Sequence, residues 1–272
     1  MKAKVVVFAV LAVLILSTGF YGCRRREPAG MTIRPGVLTV GVDISYPPME
    51  FFGPDGVTPM GFNIEMAKII AERLGLRHEF VNSSWEGIFA GLDTNRWDAI
   101  ISSVTITEAR KERHNFSKPY IANTLALVLL KDTTVRARTP EELAGLDVAF
   151  QGATTADFYM VALAERTGLN FNLRRYDTIM RCFDELRLGR VDAIITDLLV
   201  AYDYIAPADS PFEIVWRSTE PEVFGICIRK GNDALTQAID GVLEGMFADG
   251  TMLRLSYDTF GMDMVTQARQ QW

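Results

Sequence analysis

Asn95-Arg96-Trp97-Asp98-Ala99-Ile100-Ile101-Ser102-Ser103 and Gly189-Arg190-Val191-Asp192-Ala193-Ile194-Ile195-Thr196-Asp197 are two versions of one phrase. In each, an apolar helix ends, a turn carries Arg, Asp-Ala-Ile-Ile follows, and the run becomes polar. A short apolar run bounded by turn residues reads as a buried strand. Asp98 and Asp192 read as residues that shape the turn into it. In open α/β sheets, ligands sit outside the carboxyl ends of strands. Ser102, Ser103, Thr196 and Asp197 stand at such ends, and so does Asp43 after the apolar run 37–42. The repeat predicts two α/β units whose polar strand ends face each other across a cleft.

The flanking sequence extends both units. In the first, 37–42 reads as a strand and 61–74 as a helix stopped by Gly75. Strand 78–82 follows, then a helix opened by a Ser83/Glu86 capping box and running to residue 92, then strand 97–103. In the second, Thr139-Pro140-Glu141-Glu142 reads as a helix start. Strand 147–151, helix 156–165, strand 171–176, helix 178–188 and strand 191–197 follow. Residues 123–131 and 222–230 read as single strands, one after each unit, and 235–247 with 252–257 as a helical tail. A tail that returns to the first unit gives two crossovers, hence a two-strand hinge. The fold class is α/β with two lobes: 34–121 with 222–272, and 122–221.

Of 272 residues, 28 are Lys or Arg and 34 are Asp or Glu, a balance of −6. With no basic excess to neutralise phosphates, nucleic acid is not an expected partner. Hydrophobic residues at 49% and charged residues at 23% are globular proportions and exclude a disordered or low-complexity chain.

The N-terminus is read separately. Lys2 and Lys4 precede twelve apolar residues, 5–16, and Ser17, Thr18, Gly19, Phe20, Tyr21 and Gly22 lead to Cys23, Phe20 and Tyr21 being bulkier than the usual pattern before a cut site. A spanning helix needs roughly 20 apolar residues, so 1–22 reads as a secretion signal. The Cys that follows resembles the acylated Cys of bacterial lipoproteins, with an uncleaved anchor as the alternative. Residues 23–33 form a polar tether. Either way the remainder lies outside the cytoplasm, in the periplasm or on the cell surface. Cys182 and Cys227 are expected as buried free thiols. Without a Cys/His cluster no metal site is expected, and no cofactor motif is present. His78 and His114 read as surface residues.

Further stretches carry a family resemblance: Gly41-Val42-Asp43-Ile44-Ser45-Tyr46-Pro47-Pro48-Met49-Glu50-Phe51, Gly61-Phe62-Asn63-Ile64-Glu65, Ser102-Ser103-Val104-Thr105-Ile106-Thr107-Glu108-Ala109-Arg110, and Phe116-Ser117-Lys118-Pro119-Tyr120. With 189–197 and 224–231, they make the chain resemble, from Val37 to Gly261, the bacterial extracellular solute-binding proteins for polar amino acids. These include the glutamine- and lysine/arginine/ornithine-binding proteins. The resemblance implies a two-lobed periplasmic-binding-protein fold of type II. It also implies a free amino acid as ligand, an ABC transporter permease as partner, and a monomer. Two departures stand out. Asn63 and Glu65 replace two Asp of the family, on a surface expected to be solvated. Ala153-Thr154-Thr155 replaces Gly-Thr-Thr, with Gly152 one position earlier.

The resemblance also implies roles in the cleft. Arg110 takes the ligand carboxylate as a planar fork, with Thr105 and, at a helix start, Thr155 adding hydrogen bonds. Asp197 takes the ammonium, with Ser103. The ligand side chain lies between Tyr46 and Trp85, and Asp43 and Ser102 meet a polar tip. Ser102-Ser103 and Glu86 near the mouth lean toward a basic amino acid. No catalytic residue is assigned. Two other readings stay open: a cyclohexadienyl dehydratase on the same scaffold, with Glu50 or Glu86 as its acid, and a stand-alone amino-acid sensor.

Overall fold

A computed structural model describes residues 30–272. The secretion signal of 1–22 and the lipidation of Cys23 fall outside the described residues. The first unit opens with β1 (Val37–Val42), buried throughout. The hairpin β2 (Phe51–Phe52) and β3 (Pro59–Met60) leads to α1 (Phe62–Leu74), β4 (Arg77–Asn82), α2 (Trp85–Asp93) and β5 (Ala99–Ile100). Gly75 stops α1 at φ 71, a left-handed value that glycine takes without steric cost. Then come α3 (Glu108–Arg113) and β6 (His114–Phe116), and β7 (Ile121–Asn123) leads to the second unit.

That unit contains β8 (Leu125–Leu130), β9 (Asp147–Gln151), α4 (Thr155–Thr167), β10 (Asn172–Tyr176), α5 (Ile179–Arg187), β11 (Ala193–Asp197), α6 (Leu198–Ile205) and β12 (Phe212–Arg217). The chain returns through β13 (Glu222–Phe224) to β14 (Cys227–Arg229), α7 (Asp233–Ala248), α8 (Thr251–Phe260) and α9 (Thr266–Arg269). None of the described helices is long and apolar enough to cross a membrane.

The two main sheets share one plan. Their orders are β4-β1-β5-β14-β6 and β10-β9-β11-β8-β12. Each begins with three parallel strands and turns antiparallel at the fourth. The repeated phrase supplies β5 and β11 at the same place in both. Its two Asp do the same work: Asp98 accepts the Thr39 N–H at 2.8 Å and Asp192 the Asp147 N–H at 2.8 Å. Each carboxylate ties its turn to the start of the neighbouring strand. Apolar clusters cover both faces of each sheet. Leu235, Ile239 and Leu243 of α7 pack with Leu38 and Val40 of β1, so the tail returns to the first sheet. The crossing strands β7 and β13 pair antiparallel, Asn123 opposite Glu222.

Several local expectations are corrected. Strand 97–103 shortens to β5, because Ser103 turns left-handed at φ 52 and ends the extended run. The single strand 222–230 splits into β13 and β14, which pair in different sheets. At the break, a Cβ on Gly225 would press into the Ile106 side chain. No capping box forms at Ser83. Ser84 is the N-cap of α2 and the Ser83 hydroxyl donates to the Ser84 carbonyl. The helix start at Thr139 is one 3-10 turn, Pro140–Leu143, and Glu142 accepts from the Arg138 N–H instead of Thr139. His114 is buried, its Nε2 bonded to Asp93 at 2.9 Å, while His78 is exposed. Cys182 and Cys227 are free and buried, and burial pushes both thiols up.

Candidate functional site

The carboxyl ends of the central strands meet at one cleft. Asp43, Tyr46, Trp85, Ser102, Ser103, Thr105, Arg110, Thr155 and Asp197 all line it, with Glu50, Gln151 and Thr154. The first seven come from the sequence around β1, α2, β5 and α3. Thr155, the first residue of α4, and Asp197, the last of β11, come from the second unit. Three hydrogen bonds cross between the two sets. The Tyr46 hydroxyl donates to Asp197 Oδ2 at 2.6 Å, Gln151 Nε2 donates to Asp43 Oδ2 at 2.8 Å, and Trp85 Nε1 donates to the Ala153 carbonyl at 3.0 Å. The lobes are closed on each other.

Arg110 is positioned by its own helix. Thr107 caps α3 and its hydroxyl accepts the Arg110 N–H at 3.2 Å. The guanidinium lies 5.5 Å from the Trp85 ring centroid and 5.3 Å from that of Phe89. Those distances are within cation–π range. Nη1 donates to the Thr105 carbonyl at 2.9 Å, which fixes the fork in the plane it presents to the cleft. Among the described residues it forms no ion pair. Burial works against its charge and pushes its pKa down, while the Glu222 and Asp197 charges support it.

Asp197 ends β11 and begins the turn into α6. Tyr46 holds Oδ2, and Asn123 Nδ2 donates to Oδ1 at 2.7 Å. Burial and the nearby Glu222 charge push Asp197 up to about 7, against the pull of Tyr46, Asn123 and Arg110. Glu222, on the crossing strand β13, is also raised, chiefly by burial. A buried carboxylate without a cation is costly. An ammonium placed beside Asp197 removes that cost, and a carboxylate placed on Arg110 does the same on the other side.

Asp43 and Glu50 form a second acidic pair. Asp43 Oδ1 accepts from the Ser45 hydroxyl at 2.6 Å, and burial raises its pKa. Glu50 is 1% exposed, and burial lifts it well above the usual carboxylate range. The Ser102 hydroxyl donates to Glu50 Oε1 at 2.8 Å and accepts the Asp43 N–H at 3.0 Å. The Ser102 proton is therefore committed to Glu50. Ser103 differs, since its hydroxyl accepts from Asn63 at 3.0 Å and keeps its own hydrogen to donate.

Two readings of the family departures change. Asn63 is fully buried and donates to Glu50 Oε2 at 2.6 Å and to Ser103, so it stands behind the cleft and not on a solvated surface. The helical period carried the signal, because Asn63 shares the inward face of α1 with Met66, Ala67 and Ile70. Glu65 is exposed and pairs with Lys68. Ala153 takes φ 60, a left-handed value at a non-glycine residue. Thr154, not Thr155, caps α4, and Thr155 is its first residue. Glu86 is exposed, near Gly152. Glu50 was legible only as a member of the stretch 41–51 and as a candidate acid of the dehydratase alternative. Gln151 and Asn123 gave no local signal, since their partners lie 108 and 74 residues away.

The family model for bacterial extracellular solute-binding proteins, family 3, matches residues 38–159 and 138–262. The L-cystine-binding protein TcyJ of Escherichia coli (strain K12) is 31% identical over 84% of this chain and 84% of its own length. The ABC transporter arginine-binding protein 1 of the same strain is 26% identical over 82% of this chain and 90% of its own. Among solved structures, an ancestral arginine-binding protein bound to arginine is 34% identical. It matches with a TM-score of 0.77 over 83% of this chain and 98% of that one.

Proposed function

The chain belongs to the bacterial extracellular solute-binding proteins of family 3, with their two-lobed, type II periplasmic-binding-protein fold, and from that premise we propose that it is the substrate-binding component of an ABC amino-acid importer. Its ligand is a free polar α-amino acid, with a lean to the basic ones. One observation carries this reading. A guanidinium from one side of the cleft and a buried carboxylate from the other both lack an ion-pair partner among the described residues. Their opposite charges complement the carboxylate and the ammonium of a zwitterion. Arg110, Thr105 and Thr155 take the carboxylate. Asp197 and Ser103 take the ammonium. Tyr46 and Trp85 flank the side chain, and Asp43 and Ser102 face its tip.

The lobes of this reading are 34–121 with 222–272, and 122–221, hinged at 121–124 and 218–222. Thr124 braces that hinge by donating to the Ser218 carbonyl at 2.7 Å. Neither lobe satisfies both ligand charges, so the ligand favours the closed state through differential affinity. The closed monomer delivers its cargo to the permease. An acyl chain on Cys23 tethers it to a membrane. A single chain gives only marginal binding, so a second acyl group is part of the expectation. The role is delivery without turnover, and prephenate or arogenate incubated with the protein is expected to be recovered unchanged.

A thermal-shift screen against the twenty amino acids, ornithine, citrulline and cystine tests the reading. A rise in Tm with one polar amino acid is expected, and its loss in Arg110→Ala and in Asp197→Ala. A flat response across the set contradicts it.

A further inference from the structure

The second unit meets the cleft through residues 152–155, between β9 and α4. Behind them stands Asp157, in the first turn of α4, 6% exposed and not among the cleft lining. An acid at a helix start takes up the positive end of the dipole. Its charge therefore opposes a ligand carboxylate at that end unless it is balanced. Arg175 of β10 balances it. Nε donates to both Asp157 carboxylate oxygens at 3.0 Å, and Nη2 lies 2.8 Å from Oδ1. The guanidinium is 5.5 Å from the Phe150 ring centroid on β9.

The pair acts on the loop. Asp157 Oδ2 accepts the Ala153 N–H at 3.0 Å. The Thr154 hydroxyl accepts the Asp157 N–H at 3.4 Å and donates to the Gln151 carbonyl at 2.7 Å. Ala153 is thereby held at φ 60, a value that a non-glycine residue keeps only where its surroundings over-determine it. The other backbone group of Ala153 faces the first unit, its carbonyl accepting from Trp85 Nε1 at 3.0 Å. The Trp85 ring in turn carries the Arg110 guanidinium. A line of contacts runs from Arg175 through Asp157 and Ala153 to Trp85 and Arg110.

We propose that Asp157 is a positioning residue for closure: braced by Arg175, it fixes the turn at Ala153 so that the second unit presents that carbonyl to Trp85. It stands outside the cleft lining and acts through Ala153. The inference rests on the amino-acid reading above and adds to it a residue that sets affinity without setting which amino acid binds. Without Asp157 the Ala153 N–H loses its acceptor, the left-handed turn loses its brace, and the carbonyl moves off Trp85.

Two substitutions at one position test this. Asp157→Ala removes the acceptor. Asp157→Asn keeps one, because the amide oxygen can still take the Ala153 N–H. The probe is whichever of the twenty amino acids or cystine raises Tm most in the thermal-shift screen. Calorimetry gives its affinity. Proton–nitrogen correlation spectra give the indole N–H of Trp85, one of four tryptophans, assigned by its loss in Trp85→Phe. In wild type the probe is expected to move the Trp85 indole proton downfield as the bond to Ala153 forms. Asp157→Ala is expected to bind about three- to tenfold more weakly, the worth of one hydrogen bond, with the Trp85 shift reduced at saturation. Asp157→Asn is expected to restore both. In a Trp85→Phe background Asp157→Ala should cost little further affinity, since the two act along one path. A residue that merely caps α4 gives a lower Tm with affinity and the Trp85 signal unchanged. That pattern, or losses that add in the double variant, overturns the proposal and leaves the amino-acid reading standing. Should Asp157→Ala not fold, Arg175→Gln, at a side chain 47% exposed, is expected to show a smaller loss of the same sign, and no loss there overturns the proposal. Wild type that binds nothing in the screen sinks the reading and the proposal together.

Discussion

At the residue scale, Asp197 sets the pH response. Its carboxyl is raised from 3.8 to about 7 in the ligand-free protein, mainly by burial. The folded state then binds the proton more tightly than the unfolded state between those values. The contribution of Asp197 to stability therefore falls as pH rises from about 4 to about 7. Ligand binding has the opposite sign, since an ammonium requires the ionised form. Affinity is expected to weaken by up to about tenfold per pH unit below about 7, with proton release on binding. Calorimetry in buffers of different ionisation enthalpy measures both. Ala153 gives a second prediction at this scale. A left-handed L-residue costs about 1–2 kcal/mol, partly offset in glycine by greater unfolded-state freedom. Ala153→Gly is expected to raise stability by about 0.5–1 kcal/mol in denaturant titration. Most cleft residues were legible because they stand at strand ends. The hydrogen bonds that commit the Ser102 proton and bury Asn63 were not, because they depend on which distant segments meet.

At the element scale, the repeated phrase located both central strands, and helical periods located α1, α5 and α7. Boundaries went wrong where a tertiary demand cut a local pattern. β5 keeps two residues because Ser103 turns left-handed into the cleft. β13 and β14 part because one pairs with the crossing strand and the other with the main sheet. Trp97 shows such a demand most sharply. Its ring is fully buried between β1 and α2, where a Cβ on either Gly41 or Gly91 would overlap it. The two glycines are room for one indole. Gly91→Ala gains helix propensity of about 1 kcal/mol and meets overpacking of about 1–3 kcal/mol in a site that cannot yield. A net loss of about 1 kcal/mol, seen as a lower Tm with the fold intact by circular dichroism, is expected.

At the scale of the whole molecule, the cleft is a concentration of unpaired charge that folding alone does not repay. Asp43, Glu50 and Asp197 line it with one basic residue, Arg110, among the described lining residues, and the Glu222 charge acts on Asp197 from β13. In the closed form Tyr46 and Gln151 partly satisfy these anions from across the cleft. Opening lets water do so instead, so the ligand-free protein is expected to open. Small-angle scattering should then show a radius of gyration that falls when the ligand is added. An unchanged radius with full binding would mean that the lobes do not move. The central claim concerns what those lobes grip, and calorimetry can ask it directly. The best amino-acid ligand is titrated beside its methyl ester, which lacks the carboxylate, and its N-acetyl derivative, which lacks the ammonium. Each blocked form is expected to bind at least about tenfold more weakly, one charge-assisted contact being lost at Arg110 or at Asp197. Equal affinity for either blocked form would contradict the account.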